Sequence, residues 1–244
     1  MAVDYDTLRD SALSDLKKYM DSLDQARGIK LAYWIKDYSR FLSQETTFDS
    51  SKLIRYKRGA IVKVHLGYRV GSEEGGLHYA IVMDRDNSIY SPTLTVIPLT
   101  SVKPGVDLTN LPQHKLSIGD EVFMLLMANI NAELRAAKQM LKEQQDLLDS
   151  SEGDSLSPEQ RNIFNARMKD FYSRIDHYNK LKRETSRMKI GSIALVGQIT
   201  TISKIRIYDP KYPTDALSNI RVSSATLDRL DARVQELYAA PRHD

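Results

Sequence analysis

Lys57-Arg58-Gly59-Ala60-Ile61-Val62-Lys63-Val64-His65-Leu66 is the stretch where the hydrophobic period of the chain changes. It is rich in β-branched residues, and apolar and polar side chains roughly alternate, as in a half-buried strand. A loop follows over residues 67–76, carrying Gly71, Gly75 and Gly76. The strand pattern then repeats in residues 77–83 and again in Leu94-Thr95-Val96-Ile97-Pro98-Leu99, with Asp86-Asn87-Ser88 and Ser91-Pro92 as punctuation between them. Strands this close together, joined by short polar turns, predict a small antiparallel barrel. Strand character returns only at residues 190–196 and 199–207.

Everything outside these blocks has helical period. Tyr5, Leu8, Ala12, Leu16, Tyr19 and Leu23 form one apolar stripe. Gly28 is the expected break, after which Leu31, Trp34, Ile35, Tyr38, Phe41 and Leu42 form another stripe. An amphipathic pair of this kind packs on a neighbouring domain or a second subunit. Ile130, Leu134, Ala137, Leu141, Gln144 and Leu148 step alternately by four and three, which is a heptad seam. A polar stretch over 149–157 ends in Ser157-Pro158-Glu159, a helix start with proline at its first position. Phe164, Met168, Phe171, Ile175 and Tyr178 then repeat the seam. Two such helices read as an antiparallel coiled-coil hairpin, with two ordinary amphipathic helices on a globular core as the alternative. Leu227, Leu230, Val234 and Leu237 place a last helix near the C-terminus.

Composition narrows the chemistry. The chain has 244 residues, 41% of them hydrophobic, enough for a substantial core. Its 35 basic and 32 acidic side chains leave +3, which excludes a polybasic coat but permits a local basic patch. With no cysteine, thiolate metal sites, iron–sulfur clusters and cysteine nucleophiles are excluded. The five histidines, His65, His78, His114, His177 and His243, show no ligand spacing, so neither a metal nor another cofactor is expected. The acidic run Met1-Ala2-Val3-Asp4-Tyr5-Asp6 lacks the features of a secretory signal, and the most apolar window, residues 123–128, is too short to span a bilayer. The expectation is a cytoplasmic protein with no membrane contact.

Arg58-Gly59-Ala60-Ile61-Val62-Lys63-Val64, followed by Gly71-Ser72-Glu73-Glu74-Gly75-Gly76, resembles the opening of PemK/MazF-type toxins. These are small ribonucleases of toxin–antitoxin systems, built on an SH3-like β-barrel. Ser91-Pro92-Thr93, leading into Val96-Ile97-Pro98-Leu99-Thr100-Ser101, is similar to that family's next strand and its end. The segment from Gly191 through Gln198, Thr201 and Lys204 to Arg206 resembles its last strand pair, around a Gln-x-x-Thr-x-x-Lys motif. The resemblance implies an α+β fold. An SH3-like antiparallel barrel (53–118 and 189–210) is interrupted by the hairpin (119–188), preceded by a helical extension (1–52) and followed by a tail and helix (211–244).

Activity follows from the same resemblance. The family cuts RNA without metal: a 2′-hydroxyl attacks the adjacent phosphorus and the 5′-oxygen leaves, which needs a base, an acid and donors to the phosphorane oxygens. Two family positions matter most, an arginine after the Gly-Gly turn and a hydroxyl at the end of the Pro-Leu-Thr strand. Thr100 matches the second, while His78 stands at the first, followed by Tyr79 where a proline is usual. Histidine as a residue type exchanges protons near neutral pH but is a poorer permanent cation than arginine. Glu73 reads either as a base or as a brace of the turn, and Ser72, Ser101 and Gln198 as supporting donors. Gly197 and Thr200 occupy positions where the family commonly carries an acidic residue and an arginine. Lys180, Lys182, Arg183, Arg187 and Lys189, interrupted only by Glu184, form a basic cluster that would track an RNA backbone or lie as a solvated helix face. Arg55, Lys57 and Arg58 make a smaller one.

The leading expectation is therefore an endoribonuclease toxin acting on single-stranded RNA, with a cognate antitoxin and a homodimeric state implied by resemblance. The rival is a catalytically weakened barrel that binds nucleic acid or protein. A third reading makes the helical additions a brake over the groove.

Overall fold

The computed structural model describes residues 3–149 and 157–239. The polar connection at 150–156 and His243 lie outside them. The chain divides into two compact units, residues 1–48 with 65–77 and residues 49–64 with 78–244.

In the first unit, α1 (Tyr5–Asp21) and α2 (Gln25–Gln44) are each opened by an aspartate. Asp4 accepts a hydrogen bond from the Asp6 N–H, and Asp24 accepts one from the Arg27 N–H. These bonds satisfy donors that a helix start leaves unpaired. The break between the helices therefore falls at residues 22–24 and not at Gly28, which lies in the first turn of α2 with its N–H on the Asp24 carbonyl. A capping aspartate outweighed one glycine. No residue of α1 is buried, and α2 buries Leu31 and Phe41. The 65–77 loop is pinched at its neck, where Leu66 N–H bonds the Gly76 carbonyl and Gly76 N–H the Gly67 carbonyl, both at 2.7 Å.

The second unit is built on an antiparallel sheet of β1 (Ile61–His65), β2 (Leu77–Val82), β3 (Thr93–Ser101), β4 (Leu116–Gly119), β5 (Ser192–Ala194), β6 (Thr200–Ser203) and β7 (Ile207–Asp209). The strands run β4-β5-β3-β2-β1-β7, with β6 also on β3. The path does not close on itself, and the fold is a mixed one of helices and antiparallel sheet, the α+β class expected. The single run expected at 199–207 is split by a short 3-10 turn, Lys204–Arg206. Lys204 is almost wholly buried there, donating to the Ser88 carbonyl at 2.9 Å with its ammonium over the Tyr56 ring.

Both faces of the sheet are covered. Val62, Val64, Ala80, Val82, Leu94 and Val96 alternate onto one face, all fully buried. Ile61, Ile81, Ile97 and Leu99 lie on the other, in one core with Val122, Leu126, Leu181, Leu227 and Leu230. Each such side chain contributes roughly 1.5–3 kcal/mol, so this face fixes the helices on the sheet.

Those helices are α3 (Glu121–Asp149), α4 (Pro158–Arg187) and α5 (Ser224–Tyr238). Ser157 and Gln160 form a reciprocal cap at the start of α4, where Ser-Pro-Glu predicts one. The Glu121 carboxylate accepts from Ser223 N–H (2.5 Å) and the Thr226 hydroxyl (2.6 Å), so α3 caps α5. Burial raises the Glu121 pKa, but these hydrogen bonds prevail and hold it below the usual carboxylate value. α3 and α4 pack on each other, with Arg174 and His177 both 3.2 Å from Glu133. The α4 seam residues are half-buried as expected, but the α3 seam is rotated. Leu134, Leu141 and Leu148 are 39%, 50% and 44% exposed. Glu133, Met140 and Leu147 turn inward in their place, alternating with Ile130, Ala137 and Gln144. The contacts of Glu133 with Arg174 and His177 fit that rotation, because they place an acid where apolar counting puts none.

Candidate functional site

β2 and β3 pair with Ala80 opposite Pro98, Ile81 opposite Ile97 and Val82 opposite Val96. His78 and Thr100 lie two residues beyond the end of this pairing, in step with Ala80 and Pro98 in the alternation of their strands. Directly opposite residues share a face, so both side chains lie on the Ala80–Val82 face, at the rim where full burial gives way to half-exposure. Thr100 is fixed from its other side by pairing with Ile193, and Ser101 by pairing with Ser192. His78 Nδ1 lies 3.2 Å from the Leu99 carbonyl oxygen. A carbonyl only accepts, so Nδ1 carries the proton, and in the neutral ring Nε2 is the basic nitrogen. An imidazole and a hydroxyl thus lie at the same end of β2 and β3.

The remaining expected residues are distributed around this corner and elsewhere. Gln198 ends a 3-10 turn, Val196–Gln198, whose chain is tied to β3 by the bond from Leu195 N–H to the Pro98 carbonyl (2.9 Å). Lys182, Arg183 and Arg187 are exposed near the end of α4. Arg183 and Arg187 are four residues apart and share a helix face. The smaller cluster dissolves: Arg58 bonds the Met83 carbonyl and Asp231, and Arg55 pairs with Asp86 at 2.8 Å. Ser72 and Glu73 belong to the first unit, where Glu73 lies 3.7 Å from Arg69 and its N–H bonds the Val70 carbonyl. Both contacts lie within the turn that carries Glu73. Among the described residues no group of three or more His, Asp or Glu is placed to hold a metal ion.

One cluster escapes a reading of the sequence. Glu184, the single acid inside the basic run, is buried and accepts from both Lys63 Nζ and the Tyr79 hydroxyl at 2.5 Å. Burial, then the hydrogen bond to Glu184, pushes the Tyr79 phenol well above its ordinary value. Beneath it Asp209, paired in register with Lys63, is pushed up to about 6. Burial is the main cause, opposed by the Leu217 N–H; Asp215 and Glu184 add to it and Lys63 offsets it. Its only signal in the sequence is one acid where every other charged residue from 180 to 189 is basic. Tyr79 and His78 therefore divide labour by alternation: one side chain anchors the hairpin, the next faces the corner.

Residues 57–120 match the family model of the PemK-like, MazF-like toxin of type II toxin-antitoxin systems, and the match holds both His78 and Thr100. No curated protein matches the chain.

Proposed function

We propose, from the premise that residues 57–120 form a PemK-like, MazF-like toxin domain, that the chain is a metal-independent endoribonuclease for single-stranded RNA. The observation that supports this reading is His78 at the rim of β2, its Nδ1 3.2 Å from the carbonyl of Leu99 beside Thr100, inside the matched segment. His78 Nε2 takes the proton of the 2′-hydroxyl as its oxygen attacks phosphorus. The bond from phosphorus to the 5′-oxygen breaks, and the imidazolium returns a proton to that oxygen. The products are a 2′,3′-cyclic phosphate and a 5′-hydroxyl. Thr100, with Ser101 and Gln198, donates to the phosphorane oxygens. Glu73 braces its loop and Ser72 lies beside it. Lys182, Arg183 and Arg187 carry the RNA backbone. The SH3-like barrel, the homodimer, the antitoxin partner and the cytoplasmic location belong to the same proposal. It is consistent with them that no described helix is long and apolar enough to cross a membrane.

The test is incubation of the purified chain with single-stranded RNA in EDTA. Cleavage to the cyclic phosphate is expected, slowed by His78→Ala on the order of 10²-fold or more. Loss of activity in EDTA, or His78→Ala cutting like wild type, overturns it. Gly197 and Thr200 favour a second reading, a weakened module that binds RNA or protein, and binding without cleavage would select it.

A further inference from the structure

The first unit holds a concave surface of its own, a cleft of about 500 Å³ between α2 and the 65–77 loop. Its walls are aromatic, with Tyr33 and Trp34 from α2 and Tyr68 from the loop. Trp34 is positioned by stacking, its ring 4.7 Å from His65 and 5.4 Å from Tyr38. Tyr33 beside it is 67% exposed.

Charge in the cleft is lopsided. Lys30 is exposed and sits three and four residues before Tyr33 and Trp34, hence one turn away on the same side of α2. Arg69 is fixed by its bond to the Leu66 carbonyl (2.8 Å) and partly neutralised by Glu73 at 3.7 Å. Lys30 is therefore the more open of the two cations to an anion. The wall is also preformed. Beside the pinched neck, a Cβ on Gly75 would come within 2.8 Å of the Gly67 carbonyl oxygen, so only glycine lets the two sides of the loop approach this closely.

Aromatic faces with an open cation beside them match the chemistry of a nucleotide, whose flat base stacks and whose phosphate seeks the cation. The volume lies within the range of sites for small molecules. A base stacked in this way is held by its π-face, without reading its edge, so the recognition is tolerant of sequence. We propose that this cleft is a stacking subsite for one nucleotide of single-stranded RNA, its base on the aromatic wall and its phosphate at Lys30. The inference rests on the ribonuclease reading above and extends it, since α2 lies outside the segment matched to the toxin family.

Trp34 is the only tryptophan of the chain, so its fluorescence reports the cleft alone. The full chain is titrated with 2′-O-methyl hexauridylate, which lacks the attacking hydroxyl and separates binding from cleavage. A saturable change in Trp34 emission is expected. Tyr33→Ala, a change at an exposed position, should weaken binding about tenfold. Lys30→Ala should reduce the slope of log affinity against log salt by about 0.7. Uridine monophosphate and inorganic phosphate are titrated alongside. Saturation by either at concentrations where the oligonucleotide gives no change overturns the RNA assignment. Binding of the oligonucleotide by anisotropy, with Trp34 emission and the Tyr33→Ala affinity unchanged, overturns the subsite and leaves the ribonuclease reading standing. A Trp34 response in a chain that cuts no RNA supports the subsite and removes the catalytic reading.

Discussion

The α3–α4 hairpin and the α1–α2 pair carry the same kind of apolar stripe, yet the chain treats them in opposite ways. The hairpin satisfies its seam internally and plants its foot in the sheet core through Val122, Leu126 and Leu181. α1 buries nothing, and Tyr5, Leu8 and Tyr19 remain exposed along its stripe. Periodicity thus states that a face is apolar and leaves open what covers it. What separates the two helical additions is polar: the hairpin has Glu184 in a buried bond network with the sheet, and no buried charge anchors α1.

The comparison breaks most directly at that anchor. Glu184→Ala leaves the Lys63 ammonium and the Tyr79 hydroxyl without their shared acceptor, while both stay largely enclosed. Removing one partner of a buried pair costs about 3 kcal/mol or more, and urea unfolding should show that loss. A loss under about 1 kcal/mol would mean that apolar packing alone holds the foot.

Asp209 sits under the same foot and gives a dependence on pH. Its folded pKa, about 6, lies above the ordinary 3.8, so the folded chain holds this proton more tightly than the unfolded one. The stabilisation it supplies is complete below pH 4 and lost as pH rises through about 6. Asp209→Asn keeps an acceptor for the Leu217 N–H and removes the buried charge. It should stabilise the chain by about 2 kcal/mol at pH 7.5, after allowance for partial solvent screening, and by almost nothing at pH 4. Denaturant midpoints at the two pH values check this, and an equal gain at both would assign the effect to packing.

A smaller effect sharpens the seam itself. Gln144 is buried, and among the described residues neither its Oε1 nor its Nε2 has a hydrogen-bond partner. A buried amide without partners costs stability that an apolar side chain of similar size recovers. Gln144→Leu should raise stability by about 1 kcal/mol in thermal or urea unfolding, and destabilisation would show that the amide is needed where it stands.

These cases also mark what the sequence makes legible. Strand blocks, the Ser157 cap and the last helix follow from local rules that depend on neighbours within a few residues. The placing of His78 and Thr100 on one side of their strands follows from the same alternation. The rest depends on distant partners. Counting apolar residues selects Leu134, Leu141 and Leu148 for the seam. The actual rotation of α3 fits Arg174 and His177, about forty residues away, reaching Glu133. Lys204 reads as a motif residue, but its site is made by the Ser88 carbonyl and the Tyr56 ring. Glu184 reads as an interruption and acts as the anchor. The aromatic cleft was hidden for the same reason, since Trp34 and Tyr68 share no local pattern.

The smallest expected effect lies on the other side of the comparison. Leu8 is 56% exposed in a helix with no buried residue, so replacing it removes little contact within the chain. Glutamine has nearly the helix propensity of leucine, which cancels the backbone contribution. Leu8→Gln should therefore change unfolding stability by no more than about 0.5 kcal/mol, the range of ordinary surface substitutions. The measurement is decisive because the hairpin's counterpart, Leu181→Ala, should cost about 2–5 kcal/mol for a residue of the same type and period. A Leu8 loss above about 1 kcal/mol that grows with protein concentration would show the α1 stripe covered by a second copy. The two helical additions would then differ only in whether the covering partner lies in the same chain.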